Sequence, residues 1–373
     1  MSDTISLVVA GGGTAGHISP MLAIADAVKD EIPGAQITAI GSPGGLETKL
    51  VPEAGYRLEL IPKAPMPRSI NLDLFKFPLR FIKAVNGAKR VLKESNAQAL
   101  LGVGGYVCTP AYIAAKKLGV PIFVHEANSK AGMANKVGAK TAVAVGTTFA
   151  NTGLPGEEQV GMPMRSNVAQ MDRAALREEA RAFFGVSDQN PLLLVTGGSS
   201  GAQSINTAVA QSLGLLADAG VNVVHITGRG KQIMDAGGQL LAHERYHQVE
   251  YVDRMEYAYA AADLMICRSG AGTVCELEVA GTPSVLVPLP IGNGEQKLNA
   301  RELVAAGGAM LVDDKDFTKD YIAGHIAPLL ADQHKLEEMS RAAAALGRRD
   351  AAQNMARKII AEISSRSTSG QEG

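Results

Sequence analysis

Leu7-Val8-Val9-Ala10-Gly11-Gly12-Gly13-Thr14-Ala15-Gly16-His17, near the start, and Leu193-Leu194-Val195-Thr196-Gly197-Gly198-Ser199-Ser200-Gly201-Ala202, past the middle, follow one design. In each, an apolar strand runs into a glycine-rich turn and then a helix. Such a turn aims backbone N–H groups and the positive end of a helix at whatever lies beyond the sheet edge, a setting that suits phosphate or a polar sugar. Its appearance at the head of both halves predicts two nucleotide-binding-type α/β domains.

The chain's 373 residues exceed the size at which a single core usually stops growing, so two domains are the default expectation. Apolar residues make up 46% and charged residues 20%, with 41 glycines, as in a globular enzyme with many strand-to-helix turns. A net charge of −1 gives no whole-molecule field for nucleic acid, and no nucleic-acid partner is expected. Cys108, Cys267 and Cys275 are widely spaced and form no C-x-x-C, which argues against a disulfide framework and against zinc. Met1-Ser2-Asp3-Thr4 leads into a strand without a basic leader, and no apolar run approaches the roughly 18 residues of a spanning helix. The expectation is a cytosolic chain, neither secreted nor membrane-spanning.

Short β-rich runs alternate with helical patterns throughout, the signature of parallel sheets. Strands are predicted at Ser6–Ala10, Ile37–Ile40, Arg57–Ile61, Ala99–Gly102, Ile122–His125 and Ala142–Val145, with helices at Pro20–Asp30 and Pro110–Leu118. The second half repeats the scheme with strands at Leu192–Thr196, Asn222–Ile226, Val249–Tyr251, Leu264–Cys267, Ser284–Val287 and Ala309–Leu311. Its helices are predicted at Ser204–Ala219, Arg254–Ala261, Thr273–Ala280 and Glu295–Ala306. Gly161-Met162-Pro163-Met164-Arg165 has the composition of a linker, and the small polar residues after Ile363 cannot bury a core. The domains are therefore drawn at 1–163 and 164–340, with a last helix at 341–363 and a disordered tail at 364–373.

Gly11-x-Gly13-x-x-Gly16 matches the dinucleotide fingerprint, but Gly41-Ser42-Pro43 stands where an acid should meet the ribose. No nicotinamide cofactor is expected. His17 lies at a helix start, where the dipole disfavours imidazolium and favours a neutral base. His125-Glu126-Ala127-Asn128 and Gly102-Val103-Gly104-Gly105-Tyr106 each end a strand, so their polar groups gather where α/β ligands bind. Arg268-Ser269-Gly270-Ala271-Gly272-Thr273-Val274-Cys275-Glu276 opens a helix whose N–H groups suit a pyrophosphate. Thr273-x-x-Glu276 reads either as a capping box or as a carboxylate held for a ribose diol. Pro288-Leu289-Pro290 and the following Glu295-Gln296-Lys297 supply a rigid loop and an amide that suits sugar hydroxyls. The one D-x-D, Asp314-Lys315-Asp316, reads as a loop and cap, and no metal site is expected.

Leu74–Lys93 interleaves Phe75, Phe77, Leu79, Phe81 and Ile82 with Lys76, Arg80, Lys83, Lys89, Arg90 and Lys93. It reads as an interfacial membrane contact with the phenylalanines as anchors, or as a core helix with a solvated basic face.

Six segments in order, Gly12–His17, Gly104–Tyr106, His125–Asn128, Gly197–Ala202, Cys267–Glu276 and Pro288–Pro290 with Gln296 and Asn299, resemble the bacterial UDP-N-acetylglucosamine:lipid I N-acetylglucosaminyltransferases, of glycosyltransferase family 28. The resemblance implies the GT-B fold, two Rossmann-like parallel-sheet domains facing across a cleft, with the last helix returning to the first domain. It implies a donor site for UDP-N-acetylglucosamine formed by Val252 at uracil, Glu276 at ribose, Ser199, Ala271, Gly272 and Thr273 at the pyrophosphate, Gln296 at the sugar, and Arg165. Thr14, Ala15, Gly16 and Asn128 would lie near the transferred sugar, with Gly104, Tyr106 and His125 toward the acceptor and His17 or Glu126 as base. Ser200, Ala127 and Gly294-Glu295-Gln296 depart from the family's usual Gln, Gln and acidic-His-Gln, removing amide side chains at the first two positions.

The activity so implied is inverting transfer of N-acetylglucosamine to the muramyl 4-hydroxyl of lipid I, giving lipid II in peptidoglycan synthesis. Partners implied are lipid I, an anionic membrane surface at the cytoplasmic face, and other cell-wall synthesis proteins. A UDP-sugar 2-epimerase and a non-catalytic UDP-sugar-binding protein are the rival readings, distinguished by the absence of an acceptor and of turnover.

Overall fold

Successive side chains of Leu7-Val8-Val9-Ala10 pass alternately into two different apolar clusters, Leu7 and Val9 into one and Val8 and Ala10 into the other. A strand with helices on both faces requires this. In the computed structural model, which describes residues 4–64, 72–291 and 294–369 apart from the side chains of 72–76 and 368–369, the chain divides into two compact units. Unit 1 holds the residues up to Arg165 together with those from Arg349 on, and unit 2 is Ser166–Arg348.

Unit 1 is a seven-stranded parallel sheet of β1 (Ser6–Ala10), β2 (Gln36–Gly41), β3 (Arg57–Leu60), β4 (Ala99–Gly102), β5 (Ile122–Glu126), β6 (Ala144–Thr147) and β7 (Glu157–Gln159). Its order is β3-β2-β1-β4-β5-β6-β7, so the chain reverses direction across the sheet between β1 and β4. Unit 2 is six-stranded, with β8 (Leu192–Thr196), β9 (Asn222–Ile226), β10 (Tyr246–Val249), β11 (Leu264–Cys267), β12 (Ser284–Leu286) and β13 (Ala309–Leu311) in the order β10-β9-β8-β11-β12-β13. Both reversals, β1/β4 and β8/β11, put a glycine turn at the place where open α/β sheets bind ligands.

Where one last helix is expected at 341–363, the chain forms two, Gln333–Ala344 and Ala351–Ser369. The first stays in unit 2 and the second packs on the helix Ala15–Glu31 of unit 1, inserting Met355, Ala356, Ile359 and Ile363 into its core. The expected boundary at 340/341 thus lies at 348/349. The expected disorder from 364 is also corrected, because the helix continues to Ser369. Ser365 and Ser367 hydroxyls donate back to Glu362 O and Ile363 O, and Arg366 pairs with Glu362 one turn away. Residues 370–373 lie outside the described part.

The basic, aromatic stretch forms the helix Leu72–Glu94. Phe77 and Phe81 are half-buried against the unit 1 core with ring centroids 5.5 Å apart, so they are not outward anchors. Leu79 and Ile82 are the exposed apolar residues, at 68% and 55%. The side chains of Leu74, Phe75 and Lys76 lie outside the described residues.

Candidate functional site

In unit 1 three loops meet at the carboxyl ends of the adjacent strands β1, β4 and β5. After β1, Gly13 adopts φ +90, Thr14 is the N-cap without a side-chain cap bond, and a helix begins at Ala15, leaving Thr14, Ala15 and Gly16 exposed. The helix starts five residues before the expected Pro20, which sits inside it and forfeits only the one bond its missing N–H would give. His17 is half-buried, with Nδ1 3.1 Å from Gly12 O and 3.4 Å from Thr14 Oγ1. A carbonyl only accepts, so the Gly12 contact assigns the proton to Nδ1 and the lone pair to Nε2. Nε2 faces Gly104, where an added Cβ would stand 2.9 Å away, and a Cβ on Gly105 would fall 2.5 Å from Gly12 O. The loops after β1 and β4 therefore approach backbone to backbone, which only glycine permits. Tyr106 is 47% exposed on this edge.

His125 and Glu126 end β5 and point to opposite faces. His125 is fully buried, with Nε2 3.0 Å from Gly161 O and no partner at Nδ1, and burial lowers its pKa, keeping the ring neutral. The expected acceptor contact at His125 is corrected accordingly: strand alternation turns the ring inward, where it ties β5 to the segment after β7. Glu126 is also buried, and both its oxygens are engaged. Oε1 accepts from Asn128 N at 2.9 Å, while Oε2 accepts from Gly132 N at 2.9 Å and Asn135 Nδ2 at 2.9 Å. Asn135 in turn donates to His125 O at 3.1 Å and accepts from Tyr112 OH at 2.9 Å. This network shapes the loop that carries Asn128.

Sequence reasoning missed Tyr112, Asn135 and, most of all, Glu47. Glu47 is fully buried behind the first glycine turn, its Oε2 accepting from Gly13 N at 3.0 Å and its Oε1 from Ser42 N and Ser42 Oγ, each at 3.0 Å. Burial alone would raise its pKa, but the bonds from Gly13 and Ser42 hold the carboxyl below the usual carboxylate range. Gly41-Ser42-Pro43, which lacks the dinucleotide acid, is where this internal carboxylate is received.

Unit 2 builds its site on the same plan. Gly198 (φ +82) donates to Thr196 Oγ1 at 3.1 Å, and a Cβ on Gly201 would lie 2.2 Å from Thr227 O, so this turn rests on the loop after β9. Ser199 is exposed on the turn and its carbonyl accepts from Arg229 N at 3.4 Å. After β11, Gly270 is the N-cap of the helix Ala271–Ala280, with no side-chain cap. Ala271, Gly272 and Thr273 therefore present first-turn N–H groups at a positive helix end. Thr273 is the third helical residue and not the cap, so the capping-box reading fails; Glu276 instead accepts from Tyr259 OH.

Gln296 Oε1 accepts from Leu289 N at 2.9 Å and fixes the Pro288–Pro290 loop. Arg268 donates to Val287 O at 3.1 Å, Pro288 O at 3.1 Å and Asp314 Oδ1 at 2.5 Å, and to Ser204 Oγ at 3.2 Å. Asp314, half of the D-x-D, is thus committed to a guanidinium. Among the described residues, no three His, Cys, Asp or Glu side chains converge as a metal site would. Val252 is buried just after β10, beside Tyr251, whose ring lies 4.3 Å from the Arg229 guanidinium carbon. Arg165 is exposed at the end of the first segment of unit 1. Apart from Arg165 and the inward-turned His125, the sequence-derived residues thus lie in two groups, one in each unit.

Two Rossmann-like parallel sheets, each with a glycine turn at its reversal point, are the two-domain architecture of the GT-B class. Residues 7–147 match the glycosyltransferase family 28 N-terminal domain and residues 192–355 the glycosyltransferase family 28 C-terminal domain. The chain belongs to glycosyltransferase family 28. It is 54% identical over 363 residues, 97% of this chain and 98% of the relative, to the UDP-N-acetylglucosamine--N-acetylmuramyl-(pentapeptide) pyrophosphoryl-undecaprenol N-acetylglucosamine transferase of Paenarthrobacter aurescens. A protein of the same name from Mycobacterium sp. strain KMS is 48% identical over 373 residues, all of both chains. Among solved structures it is similar to Acinetobacter baumannii MurG, at 27% identity and TM-score 0.74, covering 95% of this chain and 99% of that one. A UDP-GlcNAc 2-epimerase from Neisseria meningitidis shares the fold at 13% identity and TM-score 0.66, covering 97% of this chain and 100% of that one.

Proposed function

We propose that this chain transfers N-acetylglucosamine from UDP-N-acetylglucosamine to the C4 hydroxyl of the muramyl group of lipid I, with inversion, to form lipid II. What carries the reading is full-length relatedness to transferases of that name, together with two sheet edges of the required chemistry. His17 Nε2 takes the hydroxyl proton as the oxygen attacks the anomeric carbon; the new C–O bond forms as the bond to the β-phosphate breaks. Attack from the face opposite the leaving group inverts that carbon. Departing UDP gathers negative charge, which Ala271, Gly272 and Thr273 N–H groups and the helix dipole stabilise.

Of the two candidate bases, His17 is assigned the role. Among the described residues its Nε2 makes no hydrogen bond, whereas both oxygens of Glu126 are occupied in holding the Asn128 loop. Ser199 joins the pyrophosphate site, Glu276 the ribose, Val252 the uracil, Gln296 the sugar, and Arg165 the donor. Thr14, Ala15, Gly16 and Asn128 lie toward the transferred sugar, Gly104 and Tyr106 toward the acceptor.

No helix among the described residues is long and apolar enough to cross a membrane. A lipid-borne acceptor is instead met at the surface, by the exposed Leu79 and Ile82 and the basic Lys83, Arg90 and Lys93 of the same helix, at the cytoplasmic face. The deciding experiment incubates the protein with radiolabelled UDP-N-acetylglucosamine and a lipid I analogue in EDTA. Label in the lipid product is expected. Interconversion of free UDP-sugars, or donor binding without turnover, would move the chain to the epimerase or binding-protein reading.

A further inference from the structure

The Gly12 carbonyl that holds His17 Nδ1 and the Gly13 N–H that binds Glu47 belong to one peptide group. Reading outward from the ring, Nδ1–H meets Gly12 O at 3.1 Å, the amide passes to Gly13 N, and that N–H meets Glu47 Oε2 at 3.0 Å. An amide whose N–H is bound by an anion shifts electron density onto its oxygen and becomes a stronger acceptor at the other end. The carboxylate is fully buried, and its other oxygen is fixed by Ser42 N and Oγ, so it has one place to stand.

We propose that Glu47 is a positioning residue for the transfer, acting on His17 through the Gly12–Gly13 peptide. The arrangement does by relay what a carboxylate bonded directly to a histidine does elsewhere: it fixes the tautomer with the proton on Nδ1, aims Nε2 outward, and supports the imidazolium formed when Nε2 takes a proton. A peptide in place of a direct contact keeps the anion behind the turn, away from the negatively charged substrates. This inference rests on the reading of His17 as base.

The test begins with the 15N spectrum of the histidine rings of the full-length protein, His17 being assigned by its loss in H17A. The Nδ1–H, Nε2-bare tautomer is expected; a proton on Nε2 overturns the relay without any substitution at Glu47. Glu47→Gln keeps the shape but presents an amide where Gly13 N and Ser42 require only acceptors. It is expected to lose the tautomer bias and to lower kcat about 10- to 100-fold, with the KM for UDP-N-acetylglucosamine nearly unchanged. In the H17A background the same substitution should cost nothing further. A folded E47Q with unaltered tautomer and kcat, or one whose loss persists in full beside H17A, overturns the proposal. Should H17A itself retain full kcat, the base reading falls while the tautomer comparison between wild type and E47Q still decides the relay.

Discussion

His17 and Glu126 are neighbours in chemistry and opposites in structural role, and their substitutions should separate. H17A removes a half-buried ring held by one backbone contact, so kcat is expected to fall about 10²- to 10⁴-fold with little change in melting temperature. Glu126→Ala removes the acceptor of Asn128 N, of Gly132 N and of one Asn135 Nδ2 hydrogen, the other staying on His125 O, and a loss of about 2–4 kcal/mol in denaturant unfolding is expected alongside lost activity. Equal stability of the two variants would contradict this division. Glu278 offers a pH test in unit 2. Burial first, and then the charge of Glu302, push its carboxyl up to about 8 from the ordinary 4.5. Because the folded value is the higher, its contribution to stability is complete below about 4.5 and is lost as pH rises through 8. Melting curves from pH 5 to 9 should show the wild type losing stability and Glu278→Gln holding it, the variant being more stable by about 1–3 kcal/mol at the alkaline end.

Among the elements, the helix Leu72–Glu94 divides its apolar residues between core and surface. Leu79→Ser with Ile82→Ser should weaken binding to anionic vesicles and leave the melting temperature nearly unchanged, whereas Phe77→Ser with Phe81→Ser should lower it; cosedimentation and calorimetry measure the two. Unaltered vesicle binding by the Leu79/Ile82 variant would remove the membrane role from this helix. The apolar strands around both glycine turns were legible because a strand buried on both faces must be a continuous apolar run. Of the four edge strands, Arg57–Leu60 and Ala309–Leu311 fall where expected and the other two do not. Glu157-Glu158-Gln159 has no apolar pattern, and Tyr246–Val249 begins three residues before the expected Val249 because His247 and Gln248 are only half-buried. The helix expected over Ser204–Ala219 breaks after Ala210, where the Ser212 hydroxyl bonds back to Ala208 O. The strand-end motifs were readable in the same way, since each adjoins its strand. Glu47 and Asn135 were not, because a partner 34 residues away in the chain for Glu47, and 23 away for Asn135 with Tyr112, is supplied only by the fold.

At the level of the molecule, the two sheets share a plan but not a chain order, for unit 1 is completed by the helix Ala351–Ser369 after all of unit 2. Ile359→Ala on that helix should cost about 2–4 kcal/mol, and calorimetry should assign the loss to unit 1 while the unit 2 transition stays in place. The same connectivity orders events on the ribosome. Unit 2 is contiguous and has all its strands and helices once Arg348 has been made, whereas the helix Ala15–Glu31 waits for a partner segment that emerges later still. The nascent first half therefore passes through translation with an open apolar seam, a natural landing place for chaperones and a reason for premature termination to yield aggregates and not a working half.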